Sequence, residues 1–154
     1  MQRNIYRIML ITETNLRRVI REVIDTHQGS LPVISINIGE SPIRVELADT
    51  LSSHSAGLMH RSQLDENCGM LFAFPDSDNR AFWMKNTYIP LSIAYINNEG
   101  RIINIEDMSP LSSERTWSGG PAMYALEMNQ GWFERNSIGE GCKVANLPRV
   151  SKLV

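Results

Sequence analysis

The stretch Ile34-Ser35-Ile36-Asn37-Ile38-Gly39-Glu40-Ser41-Pro42-Ile43-Arg44-Val45-Glu46-Leu47 alternates apolar and polar residues on both sides of a break. A period of two puts Ile34, Ile36 and Ile38 on one face of a strand, and Ile43, Val45 and Leu47 on one face of the next. Gly39-Glu40-Ser41-Pro42 supplies turn formers, and Pro42, with no N–H to donate to a ladder, is expected in that turn. The stretch therefore reads as a β-hairpin with one buried face.

Downstream, apolar runs at 70–74, 81–84, 91–96, 101–106, 122–128 and 142–145 are each of strand length and bounded by turn formers. Pro75-Asp76-Ser77-Asp78-Asn79 reads as an ordinary turn, since it lacks the glycine and closing glutamate of a calcium loop. Asn97-Asn98-Glu99-Gly100 signals a hairpin. Residues 49–57 read as a short irregular or helical segment, kept at the surface by Ser52, Ser53, His54 and Ser55. Residues 109–120, rich in serine, glycine and proline, read as a long exposed loop. This spacing of short strands predicts a mainly β chain, folded as a compact β-sandwich or small barrel-like domain.

Upstream the period changes. Leu16, Val19, Ile20, Val23 and Ile24 fall at i, i+3, i+4, i+7 and i+8, which predicts an N-terminal amphipathic helix over 13–27. Thr12 or Thr14 can cap it, Glu13 suits the positive end of its dipole and Gly29 ends it. Arg17, Arg18, Arg21, Glu22 and Asp25 on its other face read as a solvated surface. The expected organisation is a helical arm over 1–29, a β domain over 30–148 and a tail over 149–154.

With 42% hydrophobic and 21% charged residues, the chain has ordinary globular composition and can bury a core without disulfides. Fifteen basic against 17 acidic residues give a net charge of -2, which leaves no overall field to attract nucleic acid or an anionic membrane. The apolar run Ile8-Met9-Leu10-Ile11 is too short for a secretory signal, whose core runs about 7–15 residues. No run approaches the roughly 20 apolar residues of a membrane span. A cytoplasmic protein is expected. Cys68 and Cys142 belong to no Cys/His cluster, so no metal is expected, and they read as buried thiols in preference to a disulfide. No phosphate-binding glycine loop, Gly-x-Ser-x-Gly or Cys/His signature occurs, and no cofactor is expected.

Three segments, Gly57-Leu58-Met59-His60-Arg61, Gly69-Met70-Leu71-Phe72-Ala73-Phe74 and Phe82-Trp83-Met84-Lys85-Asn86-Thr87, in that order and spacing resemble the domain of unknown function family 192. The resemblance continues through Ile89-Pro90-Leu91, the 97–100 turn, Leu126-Glu127, Gly131 and Gly139-Glu140-Gly141, covering about 33–145. It implies a compact β-sandwich-like domain and brings no established activity. Ser92 departs from the family pattern, which has aspartate after Pro-Leu, and Cys68 departs from the acidic residue that usually precedes Gly69. An acidic cluster is therefore not expected. The arm lies outside the match and is similar to N-terminal segments of large tailed bacteriophage proteins, which implies a phage accessory protein with an assembly or packaging tag.

Arg61, Trp83, Lys85, Asn86 and Thr87 are the candidate ligand-binding residues, because the motifs set cationic and amide donors beside the apolar Phe82, Trp83 and Met84. Arg61 and Lys85 would suit a carboxylate or phosphate. The structural alternative puts Phe82 and Met84 in the core and leaves Asn86 and Thr87 to satisfy a turn. Glu127 is expected on the strand face opposite Leu126 and Met128, with Lys85 or Arg61 as its basic partner. His27, His54 and His60 read as exposed. Trp117, Trp132 and Tyr88 read either as a recognition surface or as covers on the ends of the fold. Two functions follow: a non-catalytic module binding a small ligand or a protein partner, the latter through Leu16, Val19, Ile20, Val23 and Ile24, or an enzyme using Arg61, Lys85, Asn86 and Glu127 on a small anionic substrate. The non-catalytic module is the leading expectation.

Overall fold

The computed structural model describes residues 30–151. The expected helix over 13–27 and its stripe of Leu16, Val19, Ile20, Val23 and Ile24 lie outside the described residues. From Pro32 onward the chain forms a compact unit of its own. Its elements are β1 (Val33–Ile38), β2 (Ser41–Ala48), α1 (Leu51–Ala56), β3 (Cys68–Asp78), β4 (Ala81–Phe82), β5 (Leu91–Ile96), β6 (Ile102–Met108), β7 (Thr116–Trp117), β8 (Ala122–Asn129), α2 (Trp132–Arg135) and β9 (Val144–Ala145).

Seven strands make one sheet in the order β6-β5-β8-β3-β2-β1-β9, curled into a half-barrel, while β4 and β7 pair separately as a short ribbon. The mainly β expectation holds, and of the two expected forms, a sandwich or a small barrel-like domain, the sandwich gives way to a single sheet curled into a half-barrel. The reason is the β2–β3 contact, a parallel pairing in an otherwise antiparallel sheet, with Arg44–Ala48 set against Cys68–Phe72. It joins the β1–β2 hairpin to β8 and β5 without a break, so no second sheet separates to pack face to face.

Both faces of the sheet centre are covered. Inside the curl lie Ile36, Val45, Leu71, Ala94 and Leu126, closed by Trp132 and Phe133 of α2. On the other face Phe82 packs edge-on against Phe72, with ring centroids 4.7 Å apart, and against Tyr95 at 6.0 Å. The Tyr95 hydroxyl donates to the Thr116 carbonyl oxygen at 2.6 Å. All of β5 is buried, which explains why 91–96 reads as a continuous apolar run with no alternation.

Several boundaries move for physical reasons. Pro42 lies inside β2, opposite Asn37, and only Gly39 and Glu40 turn the hairpin, with Gly39 at φ +59°. The β2–β3 pairing begins at Arg44, so nothing on that side asks Pro42 for an N–H. Strand β3 runs through 75–78, where an ordinary turn was expected, because Asp78 pairs with Ala122 after a register shift. Residues 83–84 leave the strand expected over 81–84, because β4 pairs only with β7, itself inside the expected loop over 109–120. Helix α2 carries no sequence periodicity and was not anticipated. At the C-terminal end Val150 packs against the core, and the Tyr124 hydroxyl donates to the Pro148 carbonyl oxygen at 2.7 Å.

Candidate functional site

Glu127 sits in the middle of β8, opposite Met70 and Ile93, on the face away from Leu126 and Met128 as the alternation predicts. It is only 4% exposed. Among the described residues no side chain pairs with it or hydrogen-bonds it, and its basic partner expected from the sequence is absent. Burial pushes its carboxyl up to about 8, so the group holds its proton at neutral pH. Glu127 lines a cleft of about 320 Å³, bounded by α1, the end of β3, β4 and the loop that follows β4.

The apolar wall of this cleft includes Leu58, Phe74, Phe82 and Trp83, and His54, Arg80 and Thr87 are among its polar residues. Helix α1 positions His54. Thr50 caps the helix reciprocally with Ser53, which fixes a helix of only six residues. The ring then lies against Phe74, centroids 4.5 Å apart, with Nε2 3.0 Å from the carbonyl oxygens of both Ala48 and Ala73. Both partners are acceptors, so Nε2 carries the hydrogen and Nδ1 the lone pair. Burial lowers the imidazole pKa and keeps it neutral. The exposed His54 expected from the sequence is thus corrected, since it is half-buried beside a buried Ser53, while Ser52 and Ser55 are exposed and the segment lies at the surface as expected.

Arg80 is anchored over Phe74 at 3.9 Å from the ring centroid. Its Nε donates to the Ala122 carbonyl oxygen at 3.2 Å, and its Nη2 to Asp76 at 2.7 Å. Trp83, 40% exposed, has cations on its ring, with Lys85 Nζ at 5.4 Å and Arg115 Cζ at 5.2 Å from the centroid.

Of the residues singled out in the sequence, Trp83, Thr87 and Glu127 line the cleft, whereas Lys85 is outside its lining, with its ammonium over the Trp83 ring. Arg61 is turned elsewhere, bonded two-pronged to Glu46, with Nη2 donating to Oε1 at 3.0 Å. Asn86 serves a turn: at φ +54° it presents its carbonyl oxygen to the His60 N–H at 2.9 Å. The Thr87 hydroxyl donates to the Lys85 carbonyl oxygen at 3.1 Å, and its own carbonyl oxygen accepts from Leu111 N–H at 3.0 Å. Ser92 faces the opposite side of the sheet from Glu127, where its hydroxyl donates to Asp107 at 2.6 Å and accepts from Gly131 N–H at 2.9 Å. A carboxylate at that position would be outside the cleft.

Trp132 is buried, whereas Tyr88 and Trp117 are exposed. Cys68 and Cys142 are free thiols. Among the described residues no His/Cys/Asp/Glu group could hold a metal ion, and no helix is long and apolar enough to cross a membrane. The sequence reading missed His54, Arg80 and Phe74. His54 had a legible cue in the Thr50/Ser53 cap. Arg80 had none, because its anchors, Asp76 and Ala122, are brought together only by the bulged β3–β8 pairing.

No curated protein matches the chain. Two solved structures are similar. One, from Sinorhizobium meliloti 1021 and described as a "putative transcription regulator", has 33% sequence identity and a TM-score of 0.72, over 75% of this chain and 94% of that one. The other, a protein of unknown function from Novosphingobium aromaticivorans DSM 12444, has 33% identity and a TM-score of 0.71, over 74% of this chain and 85% of that one. The family model for DUF192, described as an uncharacterized ACR, matches residues 32–146, most of the chain, so the chain belongs to the DUF192 family.

Proposed function

We propose that the β domain is a non-catalytic module that binds a small molecule in the cleft over β8. The observation that carries this reading is Glu127: a carboxyl only 4% exposed, with no hydrogen-bond partner among the described residues, lining a cleft whose wall includes aromatic rings. Burying a polar group with no partner costs stability, and such groups concentrate where a ligand supplies the missing hydrogen bonds. The cleft volume is at the small end of ligand pockets, and rings with a few fixed polar groups are their usual lining.

One observation favours the alternative of an enzyme on a small anionic substrate. A neutral imidazole and a protonated carboxyl, His54 and Glu127, share the cleft, which is the equipment of a proton transfer. Against it, Arg61 and Asn86 of the expected constellation are engaged with Glu46 and with a turn. Among the described residues Glu127 is also the one acidic residue lining the cleft, which leaves a two-carboxylate hydrolysis without its second group there. DNA reading, raised by the description of one structural neighbour, has little support here: α1 and α2 are six and four residues long, and the net charge is -2.

A thermal-shift screen of the full chain against sugars, carboxylates, phosphates and nucleotides tests the reading. A ligand selective for the folded state raises the melting temperature. The expected result is at least one compound that stabilises the wild type and not Glu127→Gln. A screen without a hit, or hits that stabilise both proteins equally, would overturn it.

A further inference from the structure

We propose that the cleft is a receptor site for a small cyclic acid bearing hydroxyl groups, its carboxylate taken by Nη1 of Arg80, its ring by Trp83 and Phe82, and a hydroxyl by the Glu127 carboxyl. The inference rests on the ligand-binding reading above and adds the ligand's chemical class.

Arg80 is the reason for the acid. Its Nε and Nη2 are committed to Ala122 and Asp76, and Phe74 supports the guanidinium plane. That leaves Nη1, for which no described residue provides an acceptor. Among the described residues no fully sealed side-chain nitrogen or oxygen lacks a partner, so Nη1, which has none, is open to solvent. A guanidinium fixed on three sides loses little freedom when it binds a carboxylate, and its remaining N–H groups suit that geometry. Among the described residues no carboxylate in the cleft competes for it, because Glu127 is the one acidic residue of the lining and holds its proton at neutral pH. Two further cations, Lys85 and Arg115, lie over the ring of Trp83, which lines the cleft.

Glu127 and the aromatic wall are the reasons for a hydroxylated ring. A neutral carboxyl offers one donor and spare acceptor capacity, which pairs with a hydroxyl in both directions. Phe82 and the half-open Trp83 line the cleft with aromatic surface against which a ring can pack, and about 320 Å³ admits a single ring.

The test is an NMR titration of the full chain with glucuronate, glucose, benzoate and inorganic phosphate at neutral pH. Glucuronate is expected to shift the Arg80 guanidinium and Trp83 indole signals and to saturate below about 10 mM, with the other three at least about tenfold weaker. Arg80→Lys should erase the preference for glucuronate over glucose. Trp83→Ala, a change at a half-exposed site that spares the fold, should weaken both sugars by a similar factor. Glucose binding as tightly as glucuronate overturns the role of Arg80 and leaves a ligand-binding cleft standing. Benzoate or phosphate binding as tightly overturns the hydroxylated ring. No shift with any of the four overturns this inference alone, since the broader screen decides the reading beneath it.

Discussion

Glu127 and His54 are buried titratable groups of opposite tendency, and together they shape how stability depends on pH. The folded protein holds the Glu127 proton up to about pH 8, whereas the unfolded chain releases it near 4.5. Between those values the folded state binds more protons, so this group's contribution falls as pH rises, by at most about 1.4 kcal/mol per unit. His54 acts the other way. Its folded pKa lies below 6.5, so below that pH the unfolded chain gains a proton the folded one refuses, and stability rises with pH there. The window from 6.5 to 8 therefore isolates Glu127. In urea unfolding, the wild type is expected to lose stability across it, while Glu127→Gln stays level and is more stable at pH 8 by about 1–3 kcal/mol. Parallel curves for the two proteins would show that the carboxyl is not held protonated.

At the scale of elements, β3 and β8 decide where the cleft lies, and a single glycine sets how closely they approach. A Cβ on Gly69 would stand 2.2 Å from Met128 Sδ and 2.4 Å from the Glu127 backbone oxygen. The methionine can swing away, but the backbone oxygen belongs to the ladder. Gly69→Ala is therefore expected to cost about 1–3 kcal/mol and to loosen the β3–β8 pairing on either side of Glu127. Urea unfolding measures the loss, and faster amide exchange confined to β3 and β8 locates it; an unchanged midpoint would mean the strands separate without penalty. The motif Phe82-Trp83-Met84-Lys85-Asn86-Thr87 acts at the same scale. Its backbone is stitched to neighbouring loops by Met84 N–H to the Ser112 oxygen and by Leu111 N–H to the Thr87 oxygen, both at 3.0 Å, and this holds Trp83 at the cleft.

For the whole molecule, the chain from Pro32 onward is a compact unit of its own, and among the described residues its main core runs from Ile36 to Val144, with Leu147 and Val150 packed against it. A chain of residues 30–154 is thus expected to fold cooperatively and melt within about 5 °C of the full chain, as a detachable N-terminal tag would require. Precipitation or a much lower melting point would make the arm part of the core. The sequence by itself determined what depends on near neighbours. The β1–β2 hairpin, β5, the side of β8 that carries Glu127 and the family motifs were all legible, because alternation, turn chemistry and motif spacing act within a few residues. Only the tertiary structure decided which strands meet. The fold joined the strands into one curled sheet through the parallel β2–β3 pairing, where a sandwich or small barrel-like domain was expected, and through the bulged β3–β8 pairing carried β3 past Pro75 and set Arg80 between Asp76 and Ala122. It also decided that Glu127 has no cation beside it while Arg61 takes Glu46. Partner choice among distant charges depends on which side chains the fold brings within a few ångströms, and no local pattern encodes that distance.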